Sequence, residues 1–320
     1  MRRLLGGLGV VLAMLVTGCS GSGGSGAAPA ASTPPAASPS VPASSPSVAG
    51  PSGSAAAKRP EKLLTIVEEN HGEKTALAKM PYLAGLSATY GRTSDYSALA
   101  HPSLPNYLAL VGGSTFGVTD DRSPAAHPLS GPSVFDQAIS AGKTAKAYIE
   151  AMPSPCALSN SGRYAVRHNP WTYFADPAER AHCKAFDVPA GTTSAGALHD
   201  DVTAGTLPTL GWVTPDLCND AHNCPARVAD NWLRGWLPVI MAGPDFRSGR
   251  LAVVVTFDEA EDSGPNTVLT TLIAPGVRHV VSATNCSHYC WSRYAAELTG
   301  TQPLRQAAGS PSLSTAFGLG

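Results

Sequence analysis

One stretch restricts this chain more than any other: Leu251–Phe257, "LAVVVTF", a nearly unbroken apolar run seven residues long. A strand that is apolar on both sides has to be covered on both faces, which places it inside a sheet packed between other elements. Leu63–Glu69, "LLTIVEE", has the same character and ends abruptly in acids, so it reads as a second buried strand. Thr144–Ile149 and Thr209–Val213 are further strands, and Val268–Ile273 reads as a partner of Leu251–Phe257. Between them lie segments with helical spacing. Met80–Tyr90 places Leu83, Leu86 and Tyr90 on one side, and Asp136–Gly142 is a short helix feeding a strand. Asn231–Met241 carries Trp232, Leu233, Trp236, Leu237 and Ile240 on an apolar face and is interrupted by Pro238, and Trp291–Leu298 is a late helix. Strands alternating with helices imply an α/β fold, a three-layer α/β/α sandwich around a mostly parallel sheet. In such sheets ligands collect at the carboxyl ends of the strands.

The N-terminal part obeys different rules. Arg2 and Arg3 precede an apolar run, Leu4–Val16, that is too short to span a bilayer comfortably and suits the core of a signal peptide. It ends in "LVTGCS", where Val16, Thr17 and Gly18 lead to Cys19 in the bacterial lipobox pattern, so residues 1–18 are expected to be a lipoprotein signal peptide and Cys19 the lipidated first mature residue. From Ser20 to Ala57 there is no charge and no aromatic, and such a segment cannot bury enough apolar surface to offset its ordering entropy. Residues 19–57 are therefore expected to tether a folded domain, 58–320, to the outer face of a membrane or to be released with it. That domain has room for one large core, no internal repeat, and no further segment apolar enough to cross a membrane.

A net charge of −1 gives no electrostatic basis for nucleic-acid binding. The chain has seven cysteines, and setting Cys19 aside leaves six: Cys156, Cys183, Cys218, Cys224, Cys286 and Cys290. An even number in an exported chain favours disulfides, and proximity suggests Cys156–Cys183, Cys218–Cys224 and Cys286–Cys290, one of fifteen possible connectivities. A structural zinc site is the competing reading, but no CxxC pair is present.

Three of the strands, those running out at Glu69, Asp216 and Asp258, lead into polar loops that carry acids. With "HPS" at 101–103, "TPDLCNDAHNC" at 214–224, "FDEAED" at 257–262 and "CSHYC" at 286–290, they supply carboxylates, an amide, histidines and a hydroxyl. That inventory suits oxygen-rich or mixed oxygen and nitrogen coordination of a metal around a nucleophile. Singly, each piece has an ordinary explanation. An acid after a strand is usually solvated, a lone histidine is usually structural, and a serine before an apolar run is a usual helix cap.

The set in this order resembles the phosphoesterase family of the alkaline-phosphatase-like superfamily, in its secreted acid phosphatase and phosphatidylinositol-3-phosphatase branch. The resemblance rests on "EEN" at 68–70, "HPSLPNYLALVGG", "TPDLCNDAHNC" with "ADNWL", "FDEAEDSGPN" with "SHY", and "YAVRHNPWTYF" at 164–174. It spans 62–300 and not the C-terminal stretch "QAAGSPSLSTAFGLG", which is small and polar enough to be loose. The resemblance implies an alkaline-phosphatase-like fold with Ser103 as nucleophile, at a helix start whose free N–H groups and dipole favour phosphate oxygens. It implies metal ligation by the pairs Glu69–Asn70 and Asp258–Glu259, and a remaining metal or phosphate subsite built on His222 and His288. Asp220 is placed as a further ligand or an orienting partner, and His101 and His168 as phosphate-contacting or general-acid residues.

The departures are informative. Typical superfamily members carry Asp-His where this chain has Asp258–Glu259 and a lone Asp where it has Glu69–Asn70, and Asp216 to His222 is six residues where the usual spacing is Asp-x3-His. Exchanging nitrogen for oxygen moves the preference from zinc toward calcium, magnesium or manganese and leaves room for a single metal or none. The implied activity is phosphate monoester hydrolysis on a small molecule or a phospholipid headgroup, including that of phosphatidylinositol 3-phosphate, by a monomer. The alternatives are a phospholipase C-type phosphodiesterase and a non-catalytic tethered lipoprotein that binds a phosphorylated ligand. No Cys/Ser-x-Pro-x-Arg motif surrounds Ser103, which disfavours a sulfatase.

Overall fold

The computed structural model describes residues 59–261 and 264–319. The expected signal peptide, Cys19 and tether lie outside the described residues. In chain order the first half comprises β1 (Lys62–Glu68), α1 (Glu73–Lys79), α2 (Pro81–Thr89), β2 (Gly91–Thr93), β3 (Tyr96–Ser97), α3 (Ser103–Gly112), α4 (Val134–Ser140) and β4 (Ala145–Ile149). Then follow α5 (Pro177–Phe186), β5 (Asp187–Pro189), α6 (Ala197–Ala204), β6 (Leu210–Thr214), α7 (Ala226–Ala242), α8 (Pro244–Arg247) and β7 (Leu251–Phe257). The chain ends with β8 (Thr271–Ile273), β9 (Val280–Ser282), β10 (Cys286–Ser287), α9 (His288–Thr299) and α10 (Leu313–Phe317).

Eight strands form the main sheet in the order β5-β4-β6-β1-β7-β8-β2-β9, and β10 pairs with β3 in a two-stranded one. Every pairing in the main sheet is parallel except those of β8 with β7 and β2. All seven residues of β7 are buried, as its composition requires. The sheet's flanks are helical on both sides. On one, α3 packs with α4 and α9, and Trp291 of α9 donates from Nε1 to Thr65 Oγ1 of β1 at 2.8 Å. On the other, α7 packs with α1, α2, α6 and α8. This is the α/β/α architecture expected from the strand and helix alternation.

The register of the central strands is what builds the site. β1 pairs with β7 from Lys62–Leu251 to Glu68–Phe257 and with β6 from Leu63–Leu210 to Ile66–Val213. Parallel strands in step finish together, so the chain leaves the sheet at one edge with Glu69, Asp258 and the loop after β6 side by side. The backbone seals that edge: Asp258 N–H donates to Glu68 O at 3.0 Å and Glu69 N–H to Asp220 O at 2.8 Å.

Several local expectations change. α7 runs unbroken for 17 residues through Pro238. Pro238 and Arg234, whose carbonyl loses its helical partner, both sit on the exposed face. β8 begins only at Thr271, because Val268 instead makes an isolated bridge to Gly72. α9 starts at His288, capped by the Ser287 hydroxyl accepting from Tyr289 N. The C-terminal stretch is not loose: a 3-10 turn at Arg305–Gly309 leads to α10, which buries Leu313 and Phe317 against β2, β9 and α9. Cys156–Cys183, Cys218–Cys224 and Cys286–Cys290 are disulfide-bonded, the pairing that proximity suggests.

Candidate active site

Ser103 is the first residue of α3, and the prolines on either side of it determine what that helix start can do. A helix leaves its first N–H groups without internal partners. Here the cap residue, Pro102, and the third helical residue, Pro105, have no N–H at all, so only Ser103 and Leu104 have such donors to offer. Asn106 fixes the approach to the helix: its Oδ1 accepts from Leu99 N and Ala100 N at 2.9 and 3.1 Å, and its Nδ2 donates to Ala100 O at 2.8 Å. The result is a buried serine, 2 % exposed, at the carboxyl edge of the sheet.

Its hydroxyl lies between two carboxylates, with Glu69 Oε2 at 3.1 Å and Glu259 Oε1 at 3.3 Å. His101 Nδ1 is 2.7 Å from Glu259 Oε2, and at 34 % side-chain exposure it is the member of the group that faces outward. Asp258 Oδ1 accepts from Asn70 N–H at 3.1 Å. Asn70 adopts a left-handed conformation, φ 52°, which asparagine tolerates better than most residues. On the other side of Glu69, Tyr107 donates its O–H to Oε1, and His168 Nε2 lies 3.3 Å from the same oxygen. His168 stacks on the Tyr107 ring with 5.3 Å between centroids and 9° between planes, and its Nδ1 is 3.2 Å from Asp220 Oδ2. Asp220 Oδ1 accepts from His222 N–H at 2.7 Å, and Arg167 Nη2 donates to His222 Nε2 at 2.9 Å.

The structure thus brings nine of the residues singled out from the sequence to one place: Glu69, Asn70, His101, Ser103, His168, Asp220, His222, Asp258 and Glu259. His288 has a different position from the one its motif suggested. It is fully buried, donates from Nε2 to the backbone carbonyl of Asp258 at 2.6 Å, and lies with Nδ1 3.3 Å from Tyr96 O–H. With both nitrogens engaged it holds the main chain of Asp258 in place, and burial pushes its pKa down to about 4, so it is neutral.

Two residues in the site had no role in the sequence reading. Tyr107 stands four residues after Ser103 on α3, hence on the same face, and helical spacing alone could have found it. Arg167 precedes His168, and its charge partly offsets the rise that burial imposes on the carboxyls of Glu69 and Asp220.

The electrostatics explain what such a site needs. Glu69, Asp220, Asp258 and Glu259 are all buried. Burial first, and then mutual repulsion, holds the carboxyls of Glu69 and Asp220 well above the usual range, and burial with Glu259 alongside pushes Asp258 up to about 8. A phosphate dianion cannot enter such a group unless positive charge compensates. Asn70 Oδ1 and Asp258 Oδ2 are buried with no hydrogen-bond partner, which suits oxygen donors waiting for a hard cation. Glu69, His168 and His222 also have ligand atoms within 4.8 Å of one another, although His222 Nε2 is held by Arg167. The residues fit a divalent metal.

A serine at a helix start, set among carboxylates at the carboxyl edge of a mostly parallel sheet, suits the hydrolysis of a phosphate ester. A Vibrio parahaemolyticus protein of the alkaline phosphatase superfamily has the same fold, with a TM-score of 0.56 over 80 % of this chain and 70 % of that one at 11 % identity. The chain belongs to the phosphoesterase family, whose model matches residues 75–265. Over 271 residues, 83 % of this chain and 86 % of the other, it is 27 % identical to the phosphatidylinositol-3-phosphatase of Mycobacterium tuberculosis. It is 30 % identical to the phosphate-repressible acid phosphatase of Penicillium chrysogenum over 217 residues, which make up 64 % of this chain and half of that enzyme's length.

Proposed function

We propose that the protein is a metal-dependent phosphate monoester hydrolase that works through a phosphoserine on Ser103, exported and anchored by a lipid on Cys19. One observation carries the reading: the Ser103 hydroxyl sits between Glu69 and Glu259, beside the partnerless oxygens of Asn70 and Asp258. A bound metal would be held by Asn70, Asp258, Glu69 and Glu259, and would supply charge neutralisation and lower the pKa of the serine hydroxyl.

The chain's own groups do the rest. Glu259, 3.3 Å from Oγ, accepts the serine proton as Oγ bonds to phosphorus, and the bond from phosphorus to the ester oxygen breaks. His101, at the open side and paired with Glu259, delivers a proton to the departing alcohol. Ser103 N–H faces the phosphoryl oxygens from the helix start. Water then attacks the phosphoserine, giving a proton to a site carboxylate, and Ser103 leaves with a proton restored, releasing inorganic phosphate. Tyr107 and His168 keep Glu69 aligned. Phosphatidylinositol 3-phosphate enters as a candidate substrate through the Mycobacterium tuberculosis relative.

The test uses the exported protein with its disulfides intact and a chromogenic phosphate monoester and diester. The monoester should be cleaved faster, activity should vanish with chelator and return with manganese or magnesium, and Ser103→Ala should lose at least about a thousandfold in kcat. Full activity in Ser103→Ala removes the nucleophile, and diester preference transfers the protein to the phospholipase C type. Cys19→Ser should move the protein from the membrane fraction to the medium; retention on the membrane overturns the lipid anchor.

A further inference from the structure

Among the residues that touch the start of α3, Asp121 belongs to no motif. It lies in the loop after α3, and its Oδ1 accepts from Leu104 N–H at 2.9 Å. Its Oδ2 is 3.5 Å from Arg167 Nε, an atom that is buried and without a hydrogen bond. Pro102 and Pro105 leave α3 only two unpaired N–H groups to offer, those of Ser103 and Leu104. Asp121 therefore takes one of the two and also faces Arg167, whose charge acts on Glu69 and Asp220. The loop is not free to drift away. Neighbouring Asp120 accepts from Arg122 N and Nε at 3.0 and 2.7 Å and pairs with His127, while Tyr173 donates from its hydroxyl to Arg122 O at 2.9 Å.

A carboxylate held by a helix-start N–H and a guanidinium occupies the place of an anionic ligand, since those are the donors a phosphate oxygen uses. Building on the phosphatase reading above, we infer that Asp121 is a positioning residue that competes with phosphate for Leu104 N–H and Arg167. It keeps these donors ordered in the resting enzyme and weakens the hold on inorganic phosphate, so that product leaves. It acts through Arg167 and the helix start, and takes no part in bond making. A residue that merely propped up the loop would have the opposite signature, because loosening the site weakens phosphate binding.

The experiment measures the affinity of inorganic phosphate for the metal-loaded protein by calorimetry, together with phosphate inhibition of monoester cleavage. In Asp121→Asn the side-chain oxygen still caps Leu104 N–H, so the melting temperature should stay close to wild type, while the Kd and the inhibition constant for phosphate fall about tenfold. That size is expected when one charge is removed a few ångströms from the ligand in a partly solvated site. Asp121→Ala, which frees the N–H as well, should bind phosphate at least as tightly as Asp121→Asn even if it melts earlier. Combined with Arg167→Gln, the Asp121→Asn effect should largely disappear, as the two act as a pair. Unchanged or weaker phosphate binding in both Asp121 variants overturns the inference and leaves the phosphatase reading intact. Wild-type protein that neither binds phosphate nor cleaves a monoester overturns both.

Discussion

Replacing Glu179 by glutamine should change how stability depends on pH, in a direction and by an amount the structure defines. Glu179 lies in the first turn of α5 and is 1 % exposed. Its carboxylate accepts from Ser133 N–H, from the Ser133 hydroxyl at 3.0 Å and from Trp171 Nε1 at 2.8 Å. Burial outweighs these three donors and pushes the carboxyl up to about 7. In the unfolded chain the same group titrates near about 4.3. Between those values the folded protein binds the extra proton, so stability falls as pH rises. The contribution is complete below the unfolded value and gone once pH has passed the folded one. At about 1.4 kcal/mol per pH unit across that interval the loss is on the order of 4 kcal/mol.

Glutamine is neutral throughout, so the quantity to measure is the wild-type unfolding free energy minus that of Glu179→Gln. Urea denaturation at several pH values between 4 and 8.5 supplies it. Other groups titrate in this range. His288, pushed down to about 4, raises stability with pH up to the ordinary histidine value, whereas Asp187, pushed up to about 8, lowers it with pH. Both are present in both proteins and cancel in the difference. The difference should drop by about 4 kcal/mol, with most of the drop between pH 4.5 and 7. A constant difference, or one that grows with pH, would mean that the carboxyl is already ionised in the fold and would refute the argument.

Two further outcomes follow from the site and its surroundings. Tyr107→Phe removes the O–H that holds Glu69, and at about 1.5–3 kcal/mol for a hydrogen bond to a charged group kcat/KM should fall roughly 10- to 100-fold; activity within twofold of wild type would deny Tyr107 this role. Removing Cys156–Cys183 by double serine substitution should cost about 3–4 kcal/mol and removing Cys218–Cys224 about 2, because they close separations of 27 and 6 residues, and denaturation showing the reverse order would contradict the loop-entropy account.

By itself the sequence determined the elements whose local pattern admits one solution. The run Leu251–Phe257 has no face that water could accept, so it becomes a covered strand wherever it lies in the sheet. Glu69, Asp258 and Ser103 were legible because each stands where an apolar segment begins or ends, and near-neighbour cysteines pair because their chain separation is short. Tertiary structure decided everything that depends on which segments meet. Strand order places β1 between β6 and β7, and that juxtaposition alone unites the Glu69, Asp220 and Asp258 loops. Pro238 is harmless because it faces solvent, and His288 is a support for Asp258 because both its nitrogens find partners in the fold. Asp121 had no signal in the sequence, since a loop acid looks solvated until the helix start it caps is folded against it. Burial and alternation are properties of a few neighbouring residues, whereas the partners of a side chain are set by packing across the whole chain.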